Sequence, residues 1–212
     1  PGDEVLVPTF TFIASVNPIA YLGASPVLVD CEQETWNVDP ELVVSEVAAR
    51  AKSGHMPKAI VVVHLYGHPA DLNPILEVAD RHGIGVIEDA TESLGATYRG
   101  KSVGTLGRIG CFSFNGNKIM TTGGGGMLVT EDRELARRAR HLTTQARVRG
   151  DEYRHDEIGY NYRLTNIQAA LGVAQLEQLE SFVERKQAIA ARYHRGLSDL
   201  TGVELKPEAE WA

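Results

Sequence analysis

Short apolar runs alternate with amphipathic segments over the first ninety residues. Glu4 to Pro8, Val27 to Asp30, Ala59 to Val63 and Gly85 to Glu88 read as strands. The run AIVVV at 59–63 is apolar throughout, as in a strand covered on both faces. Thr9 to Leu22 has helical spacing, with Thr9 or Thr11 as cap and Pro18 as an irregularity. Asp39-Pro40 is a helix start, with Asp39 as N-cap and Pro40 in the first helical position, running to Ala51. Asp71 caps a helix to Arg81 that Gly83 ends. Strands alternating with helices of ~10–15 residues predict βαβ units and a largely parallel sheet.

After Ala96 the rhythm changes. Tyr98 to Val103, with Gly100-Lys101 in the middle, reads as a hairpin or loop. Cys111 to Phe114 and Met127 to Thr130 read as strands, separated by a polar turn that holds Lys118 and by four glycines, Gly123 to Gly126. Asp132 to Leu142 is a helix; Thr143 to Glu157 is polar and aperiodic, a loop. Thr165 to Gln168 has the T-x-x-Q form of a capping box. It opens a long helix with Ile167, Leu171, Ala174 and Leu179 on one side. Helical character continues from Arg185 to Leu200, with a break near Ser181 or at Gly196.

Composition narrows the class. The 212 residues carry 43% apolar side chains and a formal net charge of −7, enough for one sizeable core and the start of a second unit. The negative balance argues against a nucleic-acid surface. The basic cluster Arg133 to Arg140 is a solvated helix face. Cys31 and Cys111 have neither metal spacing nor the density of a disulfide framework, which fits a reducing cytoplasm. No apolar run reaches membrane-spanning length. His64, His68 and Asp71 lack further ligands at metal spacing, so they read as a loop at a strand end that lines the cleft.

Two stretches carry candidate chemistry. Lys118 sits in a turn rather than on a helix, and a partly desolvated lysine becomes a usable amine nucleophile. Asp89 ends the apolar run IGVIEDA, and in open α/β sheets the site lies beyond the carboxyl ends of the strands. A lysine and a strand-end aspartate are what pyridoxal-phosphate enzymes need, one for the Schiff base and one for the pyridinium nitrogen. The glycine run reads as backbone clearance around Lys118.

The pieces PGDEVLVPTFTFIASVNPIAYLGASPVLVD, VHLYGHPADL, VIEDATESLGA, FSFNGNKIMTTGGGGM and GYNYRLTNIQAALG resemble, in order, the DegT/DnrJ/EryC1/StrS family of nucleotide-sugar aminotransferases. The resemblance runs from Pro1 to about Tyr193. It implies an α/β fold, the large domain of a fold-type I pyridoxal-phosphate aminotransferase with a mostly parallel mixed sheet flanked by helices. It also implies a fragment short of an N-terminal segment and of most of a small domain, with 1–180 in the large domain and 181–212 as connecting helix and start of the small one. By the same resemblance Lys118 is the Schiff-base lysine and Asp89 faces the pyridine nitrogen. Ser113 binds the phosphate, Glu92 the ring hydroxyl, and Phe12 stacks on the ring. Asn161 reaches the cofactor phosphate of a neighbouring subunit, so the active unit is a homodimer with shared sites.

The implied reaction is amino transfer from L-glutamate to a nucleotide-linked 4-keto-6-deoxy sugar in the bacterial cytoplasm. The motifs SFNGNKI-x-TTGGGGM, LTTQAR and GYNYRLTNIQAALGVAQLE look most like the branch acting on UDP-linked N-acetylated hexosamines. Asn115 and Asn117 offer amides for sugar hydroxyls or an acetamido group, or stabilise the turn. Arg163 binds a donor carboxylate or a substrate phosphate through a bidentate fork, or pairs within the interface. A sugar dehydratase on this scaffold replaces the lysine with histidine, which Lys118 opposes. A GDP-perosamine-type synthase, an aminohydroxybenzoate-type aromatic amine synthase and a cofactor-binding regulator share the motif set.

Overall fold

A computed structural model describes residues 1–148 and 150–212. Four strands, β1 (Glu4–Pro8), β2 (Ser25–Val29), β3 (Ala59–Val63) and β4 (Gly85–Asp89), are separated by α1 (Asn17–Tyr21), α2 (Pro40–Ser53) and α3 (Leu72–His82). A small hairpin, β5 (Thr97–Tyr98) and β6 (Lys101–Ser102), precedes β7 (Ile109–Ser113) and β8 (Gly126–Val129). Helices α4 (Arg133–Thr143), α5 (Asn166–Leu176) and α6 (Leu179–Leu197) follow. The main sheet has the order β2-β1-β3-β4-β7-β8. All its neighbours run parallel except β8, which is antiparallel to β7. This is the mostly parallel mixed sheet of the expected α/β class. Among the described residues no helix is long and apolar enough to cross a membrane.

The sheet's pleat sorts its side chains into two cores. Leu6, Ile60, Val62 and Val86 face α2 and α3, where Val43, Val47, Leu72 and Ile75 are fully buried. Val7, Val61, Val63 and Ile87 face the other way, against Ile19 and Val16. Each such side chain contributes roughly 1.5–3 kcal/mol of burial, which fixes the register, because a one-residue slip would exchange the faces. Glu88 and Asp89 therefore leave β4 on opposite sides.

Local signals set most boundaries. Asp39 accepts from Glu41 N–H at 2.8 Å with Pro40 at the helix start, and Gly83 ends α3 at φ +66°. Thr165 and Gln168 close a complete capping box at α5. Three expectations change. The helix expected over 9–22 is a 3-10 turn (Ile13–Ser15) followed by the short α1, because Pro18 lies in the first turn of a new helix. Asp71 occupies the cap position of α3 but accepts from Tyr98 O–H at 2.6 Å, and Tyr98 Oη in turn accepts from Asn73 N–H at 3.0 Å. The break between α5 and α6 falls at Glu177-Gln178, and α6 then lays Leu179 and Val183 over Gly95. An added Cβ at Gly95 would stand 2.7 Å from Val183 Cγ2.

Beneath the carboxyl edge lies a buried pair. His64 and Glu88 are both fully enclosed. Ala70 N–H donates to His64 Nδ1 at 3.2 Å, so Nε2 carries the hydrogen and donates to Glu88 Oε2 at 3.0 Å. Gly104 N–H and Leu106 N–H reach the same carboxylate at 2.7 Å each, and Gly107 N–H joins them. Burial pushes the Glu88 carboxyl up, and the bonds from His64, Gly107 and Gly104 outweigh it, holding the group below its ordinary 4.5. The histidine is thus a core residue and not part of the cleft lining. Glu88→Gln would turn an amide N–H₂ toward backbone donors and is expected to cost on the order of 3 kcal/mol. A denaturation midpoint lowered at unchanged slope measures it. Because the folded pKa is depressed, the wild-type advantage is complete above the ordinary 4.5 and shrinks as pH falls below it. Equal midpoints for the two proteins at pH 7 would refute this.

Candidate active site

Asp89 lies on the α1 side of the sheet at the end of β4, level with Val63 of β3 and Cys111 of β7. Its Oδ2 accepts from Ser15 Oγ at 2.6 Å, and Thr11 Oγ1 stands 2.8 Å from the same serine oxygen. Its Oδ1 accepts from Thr91 N–H at 3.2 Å. The 3-10 turn after β1 thus orients a carboxylate 74 residues later. Next to it, burial and then the charge of Asp89 push the Cys111 thiol up to about 11.

Lys118 sits in the turn that follows β7, its amide donating to Asn115 O at 3.1 Å. The turn is closed by Thr122 N–H and Thr121 Oγ1, which both donate to Phe114 O at 3.0 and 2.9 Å. Gln175 of α5 clamps it from outside: Oε1 accepts from Thr121 N–H and Nε2 donates to Thr121 O, each at 2.9 Å. The Lys118 side chain is 17% exposed, and its Nζ stands 3.8 Å from Glu92 Oε1. That is an ion pair without hydrogen-bond contact. The other Glu92 oxygen accepts from Tyr66 N–H at 2.8 Å. Tyr66 holds φ +56°, a left-handed conformation that is uncommon for an aromatic residue. Lys118, Glu92 and Asp89 thus gather at the ends of two neighbouring strands.

The remaining sequence-derived residues are placed as follows. Ser113 ends β7, and its Oγ accepts from Asn115 N–H at 3.3 Å. Phe12 caps the 3-10 turn that carries Ser15 and is 76% exposed. Asn115 Nδ2 donates to Asn117 Oδ1 at 3.0 Å, both residues being exposed. Asn161 Oδ1 accepts from Gln145 Nε2 at 3.0 Å and bridges to Thr144; among the described residues it makes no bond to Lys118 or Ser113. Arg163 is exposed. The glycine run serves other neighbours than the lysine. Gly125, at φ +88°, lies against Leu164, Gly126 against Phe112 O, and Gly123 and Gly124 border open space. Sequence reasoning passed over Ser15, Tyr66 and Gln175. Serines, tyrosines and glutamines are common, and only their long-range partners single these out.

A surface cleft of about 510 Å³ opens elsewhere, between α4 and the loop after it, with Arg138, His141, Asp156 and Glu157 in its wall. His141, Asp156 and Glu157 lie close enough to share a cation. Their carboxylate oxygens are already engaged, Glu157 by Arg138 and Asp156 by a hydrogen bond with His141 at 2.7 Å. Lys118, with Glu92 and Asp89, is the candidate centre instead. Pyridoxal phosphate asks for an amine at its aldehyde, a carboxylate at its ring nitrogen, a partner for its ring hydroxyl and donors for its phosphate. Lys118, Asp89, Glu92 and Ser113 are a donor set of that chemistry, and they fit the group.

Comparison with known proteins identifies the family of the chain. The model of the DegT/DnrJ/EryC1/StrS aminotransferase family matches residues 1–212. The chain is 50% identical over 202 residues to the GDP-perosamine synthase of Escherichia coli O157:H7, covering 95% of this chain and 54% of that protein. It is 40% identical over 211 residues to the UDP-N-acetyl-3-dehydro-alpha-D-glucosamine 3-aminotransferase of Acidithiobacillus ferrooxidans, covering 99% of this chain and 54% of the relative. The crystal structure of DesV from S. venezuelae superposes with a TM-score of 0.90 at 40% identity, covering 100% of this chain and 55% of that one. The chain spans about half the length of the curated relatives it matches.

The Asp89–Cys111 contact gives a direct test of the geometry. Alkylation at pH 8 is expected to modify Cys111 only slowly, because a thiol raised to about 11 is almost wholly protonated there. Asp89→Asn removes the raising charge and is expected to speed labelling of Cys111, read by peptide mass spectrometry, with no change at Cys31. An unchanged Cys111 rate in the folded variant would separate the two side chains.

Proposed function

The chain belongs to the DegT/DnrJ/EryC1/StrS aminotransferase family, and on that premise we propose that the protein transfers an amino group from L-glutamate to the ketone of a nucleotide-linked 4-keto-6-deoxy sugar, with pyridoxal phosphate as cofactor. The observation that carries this reading is Lys118 Nζ, 17% exposed, 3.8 Å from Glu92 in the turn beyond Asp89. When bound, the cofactor supplies an aldehyde that exchanges amino groups and a ring that delocalises carbanion charge.

The chain's own residues then have separate tasks. Lys118 would anchor the cofactor through Nζ, and its amine, when free, would hold and move a proton at Nζ as general base. Asp89 keeps the ring nitrogen protonated, and the hydroxyl of Ser15 and the amide of Thr91 hold that carboxylate in place. Glu92 meets the ring hydroxyl and the lysine together. Ser113 supplies a phosphate donor and Phe12 an aromatic face, which its exposure leaves open. Arg163 offers a fork for a donor carboxylate or a substrate phosphate.

The unit proposed is a homodimer in which Asn161 serves the neighbouring subunit's cofactor phosphate. Exposed Ile167 and Leu171, four residues apart on one face of α5, and the exposed, stacked Tyr160 and Tyr162 support a partner surface. The large domain would end near residue 180, at the start of α6, in a cytoplasmic protein of bacterial sugar biosynthesis.

For the sugar itself, likeness to the UDP branch supports a UDP-linked N-acetylated substrate. A second reading, a GDP-linked 4-keto-6-deoxymannose, is favoured by the 50% identity to a GDP-perosamine synthase.

Borohydride reduction of the yellow protein followed by peptide mapping is expected to place the pyridoxyl group on Lys118. Label on Lys101 or Lys58 would sink the assignment. Lys118→Ala is expected to abolish turnover, and mixing it with Asn161→Ala under subunit exchange to restore part of it, since one of two composite sites carries neither lesion. No recovery despite proven exchange would count against sharing.

Specificity constants for the two ketosugars decide between the readings. A pocket built to bond the acetamido group is expected to favour the UDP sugar by at least ~10²-fold, within the range polar recognition allows. Parity or a GDP preference would establish the second reading.

A further inference from the structure

Residues Lys206 to Trp211 cross back over the turn after β3 and bond to it three times. Lys206 Nζ donates to Leu65 O at 3.3 Å, Ala209 N–H to His68 Nε2 at 3.0 Å, and Trp211 Nε1–H to Pro69 O at 3.0 Å. Arg99 N–H donates to Trp211 O at 2.7 Å, which pins the far end of the segment beside the β5–β6 hairpin. The Trp211 ring also packs against the main core. His68 contributes by its tautomer: Nδ1–H donates to Pro69 O at 2.9 Å, leaving Nε2 as the acceptor that Ala209 uses.

The turn held in this way is strained. Tyr66 has φ +56° and Gly67 φ +83°. An aromatic residue in that region costs on the order of 1 kcal/mol and persists only where neighbours over-determine it. Trp36, itself at φ +61°, stands edge-on to Tyr66 at 6.5 Å, and Lys206 Nζ lies 5.9 Å from the Trp36 ring centre. Burial lowers the Lys206 ammonium, and the nearby charges of Glu32 and Glu92 draw it back up. What the strain positions is the Tyr66 N–H, the donor to Glu92, whose other oxygen faces Lys118.

We propose that the segment Lys206 to Trp211 is a strap that sets the reactivity of Lys118, with Lys206 and Trp211 as positioning residues that fix the Tyr66 amide against Glu92. The proposal rests on the reading of Lys118 as the cofactor lysine. With the strap fastened, Tyr66 shares the Glu92 charge and keeps that carboxylate out of hydrogen-bond contact with Nζ. Released, Glu92 is free to turn both oxygens to the lysine and stabilise its charged form.

The test uses the full chain carrying Lys206→Met and Trp211→Phe, which keep the apolar bulk and remove the two side-chain donors. In the cofactor-free protein, amide exchange over 64–70 is expected to accelerate by about tenfold while β3 is unchanged. In the loaded protein, the pH midpoint of the cofactor's visible absorbance is expected to rise by about half a unit. In a Glu92→Gln background the same pair is expected to move the midpoint no further, because the effect passes through that carboxylate. Unchanged exchange, an unchanged or lowered midpoint, or an undiminished shift in the Glu92→Gln background each overturns the strap. A parent protein without a Lys118-borne band overturns the functional reading and the strap's purpose together. A parent with the band and an indifferent variant removes the strap alone.

Discussion

The pleat of β4 is the constraint on which the rest depends. Two carboxylates stand next to each other in sequence, and the two-residue repeat of a strand sends them to opposite faces. Glu88 goes into the larger core, where an unpaired carboxylate would cost several kcal/mol. It is stable there only because His64 and the amides of Gly104, Leu106 and Gly107 fill its acceptor sites. Those bonds bring the loop before β7 under the end of β4, and so align β7 with its neighbour. Asp89 goes to the thinner face and receives fewer donors, from Ser15 and Thr91. Acceptor capacity separates the two: Glu88 has none left for a ligand, and Asp89 has some.

Placing the lysine requires a second long-range device. A turn of Asn, Gly and Thr has many conformations of similar energy, and local bonds alone leave it mobile. Here the amide of Gln175 bonds both backbone groups of Thr121, three residues after Lys118. Helix α5 can approach that closely because Gly172 has no Cβ to meet Thr122 Cγ2. The capping box at Thr165 then matters for more than the helix, since it fixes where α5 starts and so which residue reaches Thr121. A helix propensity of a few tenths of a kcal/mol per residue acquires a role at the site through this clamp.

Much of this was legible in the sequence and some was not, for physical reasons. AIVVV reads as a doubly covered strand because hydrophobic burial dominates there, and Ile60 and Val61 do face different cores. Asp39, Gly83 and Thr165 announced their helix ends because capping is local chemistry. The helix expected over 9–22 failed at Pro18, which was read as an irregularity within one helix and lies in the first turn of a new one. Asp71 looked like a cap and passes that task to Tyr98, 27 residues away. His64 looked like a cleft residue and is buried against Glu88. Lys118, Glu92 and Asp89 were legible from motif likeness, whereas Ser15, Gln175 and the Lys206–Trp211 contacts were not. A hydrogen bond spanning 54 or 141 residues leaves no periodicity to read.

The two asparagines beside Lys118 show how such a site could discriminate among sugars. Asn115 and Asn117 bond to each other across the turn. A substrate amide that takes over one of these groups exchanges one hydrogen bond for another, worth a net ~1 kcal/mol either way. Attraction alone therefore gives about a fivefold preference. Larger ratios arise only if closure around the sugar buries the asparagines, since an analogue without the amide would then strand a polar group away from water at ~1–3 kcal/mol. Both residues are exposed in this structure. Strong selection through them must accordingly come with a covering element laid over the turn.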